Sequence, residues 1–366
     1  MTARRRRTVA VRSLLLIGLV ALLAACGGNT IEERPLDALS PDGPIAQAQD
    51  DLWRLVFPIA VVVFVLVQGL IIFAVIRFRD RGRGQMPKQI EGNTRLEIVW
   101  TVIPALILVV IAVPTVATIF ELDEEPPEDE RIDVTVVGKQ YWWQFEYPDE
   151  GFFTANEITV PVDTPVYLHL DGSPEYEMPD GSVQPDPEQD QLVLHSFWVP
   201  RLAGKKQYMP GADRFLTIQA DEPGRYLGNC AEFCGLSHAN MRIRVNAVEE
   251  EEYEAWVAEQ TQEAESFEGE DSAEARGEEL FGVNCVSCHN VDGHPDNQGI
   301  RIGPDLTHFN SRPEYAGAIF DVEDDEQLAD WIRDSPAEKP GSQMQPFPDL
   351  SDDEIDDLIS YLRTLD

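Results

Sequence analysis

The chain has 366 residues, enough for two modest folded domains beside membrane-spanning segments. Its 66 acidic residues against 28 basic ones give a formal net charge of −38, which excludes nucleic acid, because a phosphate backbone needs a basic footprint. Such a surface stays soluble, repels polyanions and favours cationic partners or a saline habitat.

Residues 1–25 read as an export signal. Arg4 to Arg7 and Arg12 supply the positive start, and the run from Leu14 to Leu23 supplies the apolar stretch. The segment ends Leu23-Ala24-Ala25-Cys26, followed by two glycines. That pattern resembles the lipobox of bacterial lipoproteins, which implies lipidation of Cys26 as the new N-terminus; a plain membrane anchor is the alternative. Residues 26–51 then form an N-terminal outer segment.

Residues 52–120 are predicted to form a transmembrane hairpin, with apolar runs from about Leu52 to Ile76 and from Ile98 to Phe120. Each is long enough for the roughly 20 residues that a bilayer requires. The intervening segment, residues 77–97, carries Arg77, Arg79, Arg81, Arg83, Lys88 and Arg95 against three acidic residues, which makes it cytoplasmic. Everything after Glu121 then lies on the outer side, as Cys26 does. Pro104 and Pro114 are tolerable in the second span where neighbouring helices satisfy freed backbone groups. At its cytoplasmic start, Glu97 sits favourably for a helix N-terminus.

Residues 121–248 read as a β domain. Short β-branched runs at 132–136, 157–160 and 166–170 are broken by Pro, Asp and Gly, as in a sandwich or small barrel. The acidic stretch 174–191 reads as a surface loop. Chemistry concentrates at His195 and in the run Cys230-Ala231-Glu232-Phe233-Cys234, with His238 and Met241 following. Two thiolates, two imidazoles and a thioether form a soft set that favours copper over calcium or magnesium. Zinc also takes Cys and His, but a thioether adds little to zinc binding.

This spacing, with Val193-Leu194-His195-Ser196-Phe197 and the two spans, resembles subunit II of cytochrome c oxidase, whose outer domain is a cupredoxin-like β-sandwich. The resemblance implies two copper ions bridged by Cys230 and Cys234. His195 and His238 would bind one copper each, and Met241 and the Glu232 carbonyl would complete the set. The Glu232 side chain would face a magnesium ion shared with subunit I. Glu97 takes the position of a glutamate that marks a proton path into subunit I. The segment Gly138 to Phe145 matches the family's aromatic stretch, although Tyr141 stands where the family has the Trp that receives electrons from soluble cytochrome c. Trp142 and Trp143 are candidate relays, with a core role as the plainer alternative.

Residues 249–271 contain eleven acidic residues and no basic one, read as a short helix running into a solvated linker. Within residues 272–366, Cys285-Val286-Ser287-Cys288-His289 is a c-type haem attachment pattern: the thiols join the haem and His289 is an axial ligand. An amphipathic helix over 273–283, a closing helix over 351–365, and the motifs Gly303-Pro304-Asp305-Leu306 and Met344-Gln345-Pro346-Phe347 resemble a small all-α cytochrome c domain. Met344 is then the second axial ligand, in a His/Met pair that raises the haem potential; Gln345 stands where the family has Pro. His294 and His308 are rival ligands, each expected instead at the surface, and His169 has no assigned role. With Cys26, the two pairs account for all five cysteines, leaving none for a disulfide.

The whole resembles subunit II of caa-type oxidases, a multi-domain membrane protein with copper and covalent haem c on one chain. That implies electron transfer to the oxygen-reducing subunit I of a proton-pumping complex, with subunit III alongside. It also implies an external donor, such as a cytochrome or other small redox protein, and a place in the bacterial cytoplasmic membrane. Quinol oxidase subunit II, a nitric oxide reductase subunit and a free-standing electron shuttle are the competing classes.

Overall fold

The computed structural model describes residues 34–79, 91–172, 175–177, 183–185, 193–267 and 269–366. The signal segment, Cys26 and most of the basic loop therefore lie outside the described residues. Two apolar helices, α1 (Pro44–Phe78) and α2 (Thr94–Leu122), form a hairpin with apolar side chains exposed along both. Each is long and apolar enough to cross a membrane. Asn93 caps α2 by accepting from the Leu96 amide at 3.3 Å, satisfying one of the orphan donors of a helix start.

α1 begins at Pro44, before the apolar run, because its first turns pack on the β domain. Ala46 and Asp50 are buried there, and Arg201 pairs with Asp42 just ahead of the helix. The start of α1 and the β domain are thus joined.

The β domain is a sandwich. Strands β1 (Ile132–Lys139), β2 (Trp142–Tyr147), β3 (Phe152–Ala155), β5 (Val166–Leu170) and β10 (Arg214–Ile218) form one sheet in the order β10-β5-β1-β2-β3. Strands β4 (Glu157–Pro161), β11 (Gly224–Asn229) and β12 (Arg242–Val248) form the other, ordered β11-β12-β4. Alternation places Trp143, Phe145 and Tyr147 of β2 and Val166, Leu168 and Leu170 of β5 in the core. Burying each large side chain stabilises by about 1.5–3 kcal/mol. The Tyr147 hydroxyl joins the sheets by donating to the Thr159 carbonyl at 2.9 Å and accepting from its amide at 3.0 Å. Of the 174–191 stretch, the structure describes two short strands, β6 (Glu175–Glu177) and β7 (Val183–Pro185), paired antiparallel. The remaining hairpin, β8 (His195–Phe197) with β9 (Lys206–Tyr208), carries a candidate ligand.

The acidic stretch starts as helix α3 (Glu250–Gln260), whose Trp256 packs at 5.3 Å on both Tyr147 and Phe152. Its continuation is not a loose tether. The Ala264 amide donates to Asp292 O at 2.7 Å, and the Phe267 amide to Glu278 Oε2 at 2.9 Å, so the segment lies against the C-terminal domain.

The C-terminal domain is mainly helical: α4 (Ala273–Asn284), α5 (Asp325–Glu338) and α6 (Asp352–Leu362), with one short hairpin of β13 (Glu314–Tyr315) and β14 (Phe320–Asp321). α4 and α6 cross where Gly277 meets the Asp357 carbonyl, an approach that no Cβ would permit. Arg276 clamps the crossing through both Asp357 oxygens, at 2.7 and 2.8 Å. A capping box between Ser351 and Glu354 starts α6. Helix α5, which sequence reading did not single out, breaks at Asp334, just ahead of Pro336.

Candidate metal and haem sites

At one end of the sandwich, the loop between β11 and β12 folds against β8. The Cys230 and Cys234 sulfurs lie 4.0 Å apart. His195 Nδ1 is 3.6 Å from the Cys230 sulfur, and His238 Nδ1 is 3.7 Å from that of Cys234. Met241 Sδ is 4.0 Å from Cys234, and the Glu232 carbonyl oxygen is 3.3 Å from Cys230. The structure therefore brings together all six donors that sequence reading selected. Two central sulfurs with one imidazole on each side fit two bridged metal ions better than one tetrahedral ion. The thioether again favours copper over zinc.

The electrostatics suit ligation. Hydrogen bonds from the Cys234 thiol and from His195 draw the Cys230 thiol well below its usual range, against the cost of burial. Cys234 is pushed far up, chiefly by the Cys230 sulfur beside it and then by burial. One proton thus leaves the pair readily, and a metal must displace the other.

Neighbouring residues fix His195. Its ring is fully buried against Trp143, 5.7 Å away edge-on. Gly138 provides the space: a Cβ there would stand 3.0 Å from His195 Cδ2 and 3.2 Å from Trp143 Cζ3. The Glu232 carboxylate points elsewhere, with Oε2 3.4 Å from Gln207 Nε2.

The second site is a cavity in the C-terminal domain, lined by Cys285, Cys288, His289, Pro304 and Met344. His289 Nδ1 donates to the Pro304 carbonyl at 2.8 Å, which leaves Nε2 as the ligating nitrogen. Such outer partners orient a metal-binding imidazole and raise its basicity. Burial lowers the His289 pKa, favouring the neutral, ligating form. Ser335, fully buried, anchors the facing segment by donating from Oγ to the Met344 carbonyl at 2.8 Å. The cavity places a thiol pair, an imidazole and a thioether around an apolar space with Leu306, Phe347 and Leu358 among its walls, and so fits a haem.

His294 and His308 are buried rather than at the surface, and are spent elsewhere. His294 Nε2 faces Glu278 O at 3.1 Å, and the His308 nitrogens face Asp366 O and Gln260 O. His169 stacks on Phe215 at 4.8 Å, on the five-stranded sheet.

Tyr141 and Trp142 of the β domain also line this cavity, whereas Trp143, next in β2, abuts His195 of β8. Glu97 Oε1 accepts from the Asn93 amide at 3.2 Å, so it closes the start of α2. Sequence reading missed Gly138, the Pro304 carbonyl, Ser335 and Lys339. Two of these had a signal: Pro304 in its Gly-Pro-Asp-Leu motif, and Gly138 at the head of the aromatic stretch. Lys339 is buried between the domains, donating to Tyr141 O at 2.6 Å and Ala316 O at 2.7 Å.

Three family models match the chain: cytochrome c oxidase subunit II transmembrane domain over residues 37–118, the periplasmic domain of the same subunit over 186–248, and cytochrome c over 274–366. Cytochrome c oxidase subunit 2 of Alkalihalophilus pseudofirmus is 37% identical over 362 residues, covering 97% of both chains. That of Bacillus subtilis is 35% identical over 374 residues, again covering 97% of both. Quinol oxidase subunit 2 of Bacillus anthracis is 33% identical over 257 residues, 69% of this chain and 80% of its own length.

Proposed function

The chain belongs to the cytochrome c oxidase subunit II family, and from that premise we propose how its two redox sites are filled and ordered. It is the electron-transfer subunit of a haem–copper respiratory oxidase, with subunit I as its partner. Its membrane helices carry a cupredoxin-like domain and a cytochrome c domain. In our reading, Cys230, Cys234, His195, His238, Met241 and the Glu232 carbonyl hold two copper ions. Cys285 and Cys288 would hold one haem covalently, with His289 and Met344 as its protein ligands. When bound, these groups would supply one-electron transfer.

Electrons arrive from an external cytochrome or other small redox protein at the haem domain, cross to the copper loop, and continue to subunit I. The chain's own residues make this possible. Pro304 and Ser335 hold the two axial ligands, Gly138 and Trp143 seat His195, and the apolar walls exclude water. Trp142 on the haem side and Trp143 on the copper side are candidate relays, Glu97 marks proton access to subunit I, and the Glu232 carboxylate faces a shared magnesium ion. We further propose lipidation of Cys26, two membrane passes with residues 77–97 cytoplasmic, a copper domain over 121–248, a haem domain over 272–366 and subunit III as a neighbour.

The observation that carries this reading is that the six sulfur, imidazole and carbonyl donors converge beside the wall of the cavity holding the haem-attachment cysteines. Elemental and haem analysis of the fully loaded chain should give two coppers per covalent haem. Zinc, or one copper per haem, would sink the binuclear assignment.

A further inference from the structure

We propose that Lys339 is a positioning residue for haem-to-copper electron transfer, latching the segment that ends in Met344 onto the loop that carries Cys234 and His238. The inference rests on the reading that electrons pass from the haem to the copper pair. In that step one electron leaves the ferrous haem, which becomes ferric, and reduces the copper pair by one. No bond forms or breaks, and no proton needs to move.

Lys339 is 3% exposed, and Lys is almost never fully buried without partners. Its Nζ donates to the carbonyl of Tyr141 in the β domain and to that of Ala316 in its own domain. One buried amine therefore satisfies acceptors on both sides of the domain boundary. The next residue continues the seam: Ser237, directly before His238, donates from Oγ to the Pro340 carbonyl at 2.7 Å. Gly341 follows, in the left-handed region at φ +84°, where a Cβ would stand 3.0 Å from the Tyr141 ring. Gly317, at φ +86°, faces Lys339 Nζ at 2.5 Å from its would-be Cβ, and its carbonyl accepts from the Arg242 amide at 3.1 Å.

On the copper side, the Tyr141 hydroxyl accepts from the Leu236 amide at 3.0 Å. Tyr141 thus touches the copper loop with its side chain and the haem-ligand segment with its carbonyl. The seam is close-packed and polar, and it runs between the residues that hold the two redox groups. Tunnelling falls steeply with separation, so a residue that holds this seam closed sets the transfer rate without touching either metal.

The test uses the full chain in its oxidase. In Lys339→Met, two carbonyls lose a buried donor, a loss comparable to other broken buried hydrogen bonds. The Arg242 amide, whose acceptor lies across the seam, reports docking by hydrogen exchange. We expect it to exchange at least about tenfold faster in the variant, the change matching a docking loss of about 1.4 kcal/mol. Flash reduction of the haem should then show copper reduction slowed at least about tenfold, a modest loss beside what misplacing reacting groups can cost. Both absorption spectra and both potentials should be retained. Ser237→Ala leaves the lysine in place and should slow transfer in the same direction, which covers the case in which the lysine variant does not fold. Wild-type rates and exchange in whichever variants fold, beside fast transfer in the unaltered chain, would overturn the latch alone. No haem-to-copper transfer in the unaltered chain would overturn the underlying electron order and the role of Lys339 with it.

Discussion

Replacing Gly303 by Ala should loosen His289, the proposed haem ligand. A Cβ at this position would lie 2.7 Å from His289 Cε1 and 2.8 Å from Nδ1, with the Cys288 carbonyl at 3.1 Å on another side. Overpacking of this kind typically costs about 1–3 kcal/mol, and contacts this short leave the ring no choice but to retreat. The hydrogen bond from His289 Nδ1 to Pro304 O is 2.8 Å, and it has little room to lengthen before leaving the 2.7–3.2 Å range typical of such bonds. Its loss adds about 0.5–1.5 kcal/mol. The sum is about 1.5–4.5 kcal/mol, enough to weaken imidazole ligation by more than tenfold. Carbon monoxide binding to the reduced haem provides the assay, because a haem with both axial ligands in place resists it. Gly303→Ala should bind the gas readily, with a lowered thermal midpoint for the haem domain and unaltered copper absorption. Unchanged exclusion of carbon monoxide together with an unchanged midpoint would refute the argument from space.

Two further outcomes follow from the sites. Replacing Met241, whose sulfur is 4.0 Å from that of Cys234, should alter the copper spectrum and leave the haem spectrum alone; an unaltered copper spectrum would remove Met241 from the ligand set. Replacing Glu97 by Gln should slow oxygen turnover while haem-to-copper transfer persists, whereas unchanged turnover would leave Glu97 only its contact with the Asn93 amide.

Much of the site was legible because its donors lie in short contiguous runs. Cys230 to Met241 and Cys285 to His289 carry their chemistry in their spacing, and His195 sits in a run of its own. β-Branched runs broken by Pro, Asp and Gly made β1, β4 and β5 readable, and an amphipathic pattern did the same for α4. What stayed hidden depends on partners distant in the chain. Glu314 receives Arg244 at 2.8 Å and Arg225 at 2.7 Å, joining the haem domain to β11 and β12, yet no local pattern marks any of the three. Lys339 reads as one more surface lysine until Tyr141 is placed above it. The acidic stretch reads as solvated because charge suggests water, but its amides and Phe267 find partners in the haem domain. Tyr141 stood out as a departure from the family pattern, and the structure gives that position a new neighbour, the haem-ligand segment.

Docking has a consequence for electron supply. A donor domain held on the acceptor replaces a bimolecular encounter with a high effective concentration, about millimolar even for a short flexible link. It also covers Tyr141, which is only 7% exposed, so a soluble donor cannot reach that side chain directly. The most direct measurement is oxygen consumption by an oxidase in which Cys285 and Cys288 are both Ala. Its copper content is confirmed by spectrum, and its native donor supplies the electrons. Loss of most of the turnover is the predicted result. A normal rate from the native donor would contradict the haem's place as the port through which electrons reach the copper pair.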